Sequence, residues 1–85
     1  MKPKSAQELA IKAMSMLLVG SEEALESREY ESCFEEGSGE EVVSLLIHYA
    51  QKAPSFAYAV QKYPSYRYAP PALLAAAKAS LGMAA

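Results

Sequence analysis

Gly39-Glu-Glu-Val-Val-Ser-Leu-Leu-Ile-His-Tyr-Ala-Gln-Lys-Ala53 is the stretch on which the fold turns. Val42, Leu45, Leu46, Tyr49, Ala50 and Ala53 recur at the i, i+3, i+4, i+7 spacing of one helix face, and Ser44, His48, Gln51 and Lys52 fall on one narrow polar arc. Val43 and Ile47 widen the apolar arc to about 200 degrees, beyond the stripe of an ordinary surface helix. The spacing therefore predicts a helix over 39–53 that sits centrally. Gly37-Ser-Gly39 breaks the chain before it, and Ser38 with Glu41 has the spacing of a capping box. Pro54 disfavours helical backbone at Ala53 and closes the segment.

Toward the N-terminus, Ser5 and Glu8 form another capping box and start a first helix. It runs through Leu9, Ile11, Met14, Met16, Leu17 and Leu18 to Gly20, a residue that tolerates the left-handed conformation of a helix end. Ser21 caps an acidic second segment, with Glu22 and Glu23 where the positive end of the helix dipole favours them. Leu25, Tyr30, Cys33 and Phe34 scatter on a helical wheel, so residues 30–34 fit an extended or turning stretch as well as a helix. Toward the C-terminus, Ser55 is placed to cap a short helix presenting Phe56, Ala59, Val60 and Tyr63, which Pro64 stops. Residues 63–71 read as an extended aromatic linker, with Tyr63 closing the core beneath it together with Tyr66 or Tyr68. Pro71 opens a last helix through Leu73, Leu74, Ala77 and Leu81 to Gly82.

The fold class expected is all-α, a compact bundle of four to five short helices. With 85 residues, 52% of them hydrophobic, and only five prolines and four glycines, residues 1–85 form a single small helical domain rather than a disordered chain. Such a domain buries only roughly 60–65% of its unfolded surface. The first helix is apolar over about 220 degrees of its wheel, so two broad apolar helices must be covered by short neighbours. Either the second, fourth and fifth helices wrap both completely, or an apolar patch is exposed, with a partner over it or a homodimer formed through the apolar faces of the first and third helices.

Charge is segregated along the chain. Residues 1–20 carry a net +2, residues 21–41 carry nine Glu against Arg28 for a net −8, and residues 42–85 carry +4 with no acid. Glu22, Glu23, Glu40 and Glu41 stand at helix starts, where each contributes about 0.3–1 kcal/mol. Glu26, Glu29, Glu31, Glu35 and Glu36 have no such explanation, and the pairs Glu22/Glu26 and Glu31/Glu35 set like charges one turn apart. The ordinary reading is a solvated face; the functional one is a docking surface for a protein partner with a basic surface.

Tyr66, Arg67 and Tyr68 form the second candidate contact, because Tyr and Arg supply large contact area with a polar end. Alternation of aromatic and basic residues also suits single-stranded nucleic acid. Four basic residues in that half are few for phosphate neutralisation, however, and nine glutamates repel a phosphate backbone, so nucleic acid is the lesser expectation.

Catalytic chemistry is thinly represented. The chain has one histidine and no aspartate, and it has no glycine-rich phosphate loop. Ser44, His48 and Glu41 share one arc of the third helix, without the nucleophile turn or oxyanion donors of acyl transfer. The single Cys33 sits among glutamates that raise a thiol pKa, which makes it a small hydrophobe rather than a nucleophile. No catalytic residue, cofactor or metal is implied. Glu8 and Lys12 interrupt the apolar run of a signal peptide, no run is long enough to span a membrane, and one cysteine suits a reducing cytoplasm. The expectation is a non-enzymatic protein-binding regulator or inhibitor. The alternatives are a structural subunit of a homo-oligomer and a nucleic-acid-binding accessory protein.

Overall fold

A computed structural model describes residues 5–35 and 39–82. The helices are α1 (Ala6–Val19), α2 (Glu22–Leu25), α3 (Arg28–Glu35), α4 (Gly39–Lys52), α5 (Pro54–Gln61) and α6 (Pro71–Ser80), with one turn of 3₁₀ helix at Ser65–Arg67. Glu36, the proposed Ser38 cap and Lys2 and Lys4 lie outside the described residues.

Local chemistry sets the ends of α1. The Glu8 amide donates to Ser5 Oγ at 3.2 Å, and Ser5 Oγ donates to the Glu8 carboxylate at 3.4 Å. At the other end Gly20 adopts φ 68°, and its N–H reaches the Met16 carbonyl at 3.0 Å. Ser21 accepts from the Ala24 amide and starts α2.

Residues 30–34 are helical. They scattered against Leu25 because the helix is broken between them. Ser27 Oγ donates to the Ala24 carbonyl at 2.6 Å and accepts from the Tyr30 amide at 3.2 Å, ending α2 and capping α3. Counted from that new start, Tyr30, Cys33 and Phe34 stand at i, i+3, i+4 and share a face.

Two further expectations are corrected. Ser55 is exposed and caps nothing: Pro54 is the first residue of α5, and Ala53 holds the cap position with extended backbone. A proline fits there because its missing N–H is one the first turn leaves unbonded. The segment before α6 is not extended, for Ser65 is buried and pins a tight turn. Within that turn Tyr63 is 55% exposed, and Tyr68 is the ring that packs on the core.

α4 is central, as its wide apolar arc requires, packing against α1, α3, α5 and α6. Leu9, Leu17, Leu25, Val42, Leu46, Phe56, Val60 and Leu73 are the large buried aliphatic and aromatic side chains around it, joined by Tyr30 and Cys33. Five alanines, Ala10, Ala13, Ala50, Ala57 and Ala77, are wholly buried. Small residues let helix backbones approach closely, so short neighbours cover the core face of α4 and leave its polar arc, with Ser44 and His48, exposed. The radius of gyration, 12.0 Å, matches the roughly 12 Å of a close-packed chain this long. On α1 the coverage is incomplete: Ile11, Leu18 and Val19 remain 45%, 48% and 73% exposed. Among the described residues no helix is long and apolar enough to cross a membrane.

Candidate interaction surface

The 3₁₀ turn carrying Tyr66, Arg67 and Tyr68 is held from three directions. Ser65, 2% exposed, donates its hydroxyl to the Leu17 carbonyl at 3.1 Å. Leu17 lies in the last turn of α1, where carbonyls have no partner within the helix. Gly20 stands beside this bond and is required for its positive φ, while a Cβ there would make ordinary contact with Ser65 Oγ at 3.4 Å. From α3, the Tyr30 hydroxyl donates to the Tyr68 carbonyl at 3.2 Å, and burial pushes the Tyr30 phenol well above its usual range.

The third hold is electrostatic, and it joins the two segments singled out from the sequence. The Tyr63 hydroxyl donates to Glu22 Oε1 at 2.8 Å, and the Tyr68 hydroxyl donates to Glu26 Oε2 at 2.8 Å. Arg67 Nη1 lies 3.7 Å from the same Glu22 oxygen, and its guanidinium stacks 4.6 Å from the centre of the Tyr63 ring. Glu22 and Glu26, one turn apart and mutually repulsive, are thus each bonded by the aromatic turn. These hydrogen bonds hold the Tyr63 and Tyr68 phenols in their neutral form and raise their pKa above the ordinary value. Tyr66 remains 46% exposed, its ring 6.2 Å from that of Tyr63.

Of the five glutamates that the sequence left unexplained, Glu29 and Glu31 stand in the first turn of α3, where the helix dipole favours them, and the five divide further by their partners. Glu26 bonds Tyr68, and Glu29 pairs with Lys12 at 3.3 Å. Glu31 and Glu35 are exposed on the outer flank of α3 and make no ion pair or side-chain hydrogen bond among the described residues. Glu36 lies outside those residues. At the adjoining end of α4, Glu40 and Glu41 are exposed as well. The two helix ends meet closely: a Cβ on Gly39 would stand 2.5 Å from the Phe34 carbonyl oxygen, so only glycine fits. Glu35 ends α3 and Glu40 and Glu41 begin α4 at this junction, with Glu31 one turn further back on α3.

Beside that junction runs an open groove of about 630 Å³, lined by Phe34, Gly39, Glu40, Val43, Ser44, Ile47, Pro70 and Ala72. Val43 and Ile47, which made the apolar arc of α4 so wide, are its floor and only half-buried.

His48 is exposed on α4 with its ring 6.1 Å from that of Tyr49, and it makes no hydrogen bond to Ser44 or Glu41 among the described residues. Cys33 is buried, its thiol donating to the Glu29 carbonyl at 3.4 Å. No group of three or more His, Cys, Asp or Glu side chains is arranged to hold a metal ion among the described residues. No protein-family model matches the chain, and neither a curated protein nor a solved structure matches it.

Proposed function

We propose that this protein is a non-enzymatic binding regulator or inhibitor that docks on a protein partner with a basic surface, through the acidic junction of α3 and α4. The observation that carries the reading is that Glu31, Glu35, Glu40 and Glu41, on the two helices that meet at Phe34 and Gly39, are all exposed and make no ion pair or side-chain hydrogen bond among the described residues. Like charges held side by side cost stability locally, and a cationic partner offsets that cost. Glu22 and Glu26, by contrast, are spent inside the fold on Tyr63, Arg67 and Tyr68. In this reading Glu26, Glu29, Arg67 and Tyr68 hold the acidic face in place, while Glu31, Glu35 and the exposed Tyr66 make contact, with Glu36 extending the same acidic run in sequence. Phosphate is repelled by this surface, which disfavours nucleic acid as the partner.

The test is affinity capture with the wild type beside a Glu31→Gln/Glu35→Gln variant, followed by the partner's Kd across ionic strength. The proposal expects weaker capture by the variant and affinity that falls steeply with salt. A partner held equally by both proteins, with salt-independent affinity, overturns it.

A second reading, a homodimer, rests on the exposed Ile11, Leu18 and Val19 of α1. Sedimentation as a monomer at high concentration refutes it.

A further inference from the structure

Resting on that reading, we infer that the groove beside α4 receives one helical segment of the partner, amphipathic in character, with an apolar stripe and cationic flanks. Gly39, Val43 and Ile47 recur every four residues along the groove, so it follows α4 for about 12 Å, or two turns of an incoming helix. Its floor is apolar, from Val43 and Ile47, and its far wall is Phe34, Pro70 and Ala72, a lining that suits side chains spaced one turn apart.

The edges specify the charge. Glu40 lines the groove, and Glu31 and Glu35, three residues before and one after the lining residue Phe34, are exposed carboxylates of the same helix as that ring. Among the described residues no Lys or Arg lines the groove. A helix seated on Val43 and Ile47 therefore meets the Glu40 carboxylate in the groove, with further carboxylates on the neighbouring turns of α3 and α4, the complement of an apolar stripe bordered by Lys and Arg. A second copy of this chain is disfavoured as the occupant. Two-fold packing of groove on groove sets Glu31, Glu35 and Glu40 of one copy against the same residues of the other.

The test uses a peptide with leucines on one helical face and lysines on the other, and a control peptide with glutamates in place of the lysines. Both are titrated into the full chain and followed by amide NMR shifts. The inference expects the lysine peptide alone to bind, with shifts centred on Phe34, Gly39–Ile47 and Ala72. Ile47→Gln removes an apolar floor residue, and affinity should fall at least about tenfold. Because Ile47 also touches the core, Ala72→Gln serves as the second variant: Ala72 is exposed, and the longer side chain fills the groove without removing any packing. It should weaken binding by about tenfold as well, with an unchanged fold by circular dichroism.

Binding that maps to the Glu31/Glu35 face and ignores both variants overturns the groove while leaving the acidic docking reading intact. Equal binding of both peptides, or none at low salt, overturns both. Concentration-dependent shifts of the groove amides without peptide identify a second copy as the occupant and overturn the inference.

Discussion

Ser65 and Ser55 are the same residue type ten positions apart, and their removal should have opposite consequences. Ser65 is 2% exposed, and its hydroxyl is the donor to the Leu17 carbonyl at 3.1 Å. Ser65→Ala deletes that bond and leaves a buried carbonyl at the end of α1 without a partner. A buried hydrogen bond contributes about 0.5–1.5 kcal/mol, and an orphaned group costs about 1–3 kcal/mol, so the loss should be about 1–2 kcal/mol. Against a total stability of about 4–13 kcal/mol for a chain this long, that is a substantial fraction. At about 4–8 °C per kcal/mol for a small domain, Tm should drop by about 5–15 °C. Ser55 is exposed and caps nothing, so Ser55→Ala should stay within about 0.5 kcal/mol of the wild type. Thermal and urea unfolding of both variants, followed by circular dichroism, measure the contrast. A Ser65→Ala protein as stable as the wild type, or a Ser55→Ala protein that loses as much, refutes the placement of the turn against α1.

Leu46 is wholly buried on the central helix, and Leu46→Ala should cost about 2–5 kcal/mol, read as a large fall in the urea midpoint. Alkali should act through the aromatic turn. Tyr63 and Tyr68 have raised pKa values in the folded state, so the folded chain holds these protons more tightly. Their contribution is complete below the ordinary tyrosine value of about 10 and is lost as pH climbs through the higher folded values. The urea midpoint should therefore fall above that pH, with a shallower fall in a Tyr63→Phe/Tyr68→Phe variant; identical profiles in the two proteins contradict the assignment.

The sequence was most legible where the signals are local. Ser5, Gly20, Pro54 and Pro71 each mark a helix end through their own backbone chemistry, and the period of residues 39–53 identifies the central helix without outside help. Ser27 escaped notice because it sits in an acidic run that already had a cap at Ser21, and the break it makes shifts the helical phase of everything after it. Pro54 and Ser55 competed for one helix start, and the rigid backbone of proline decided it.

The aromatic turn was read as extended because tyrosines and prolines have that local preference. What folds it is a bond from Ser65 to a residue 48 positions away. The candidate residues were sought separately in the acidic and Tyr/Arg segments. Their mutual pairing, across 41 and 42 residues, leaves no mark in either segment alone. One signal did point to it: an acid-rich stretch and an acid-free half containing Arg67 are complementary charges on one short chain. The groove was half legible too, since Val43 and Ile47 made an apolar arc wider than the core could use.

The central claim is that the glutamates divide into a pair bonded within the fold and a pair held outward. Glu22/Glu26 and Glu31/Glu35 are matched for testing it, each pair four residues apart and each with one member in the first turn of its helix. Glu22→Ala/Glu26→Ala and Glu31→Ala/Glu35→Ala each remove two carboxylates four residues apart, Glu26 being the C-cap of α2 and Glu35 the last residue of α3, and the largest difference between them is the partners removed. Urea unfolding at neutral pH should show the first variant clearly less stable than the second, which should match or exceed the wild type. Equal stability of the two variants, or the reverse order, contradicts the account.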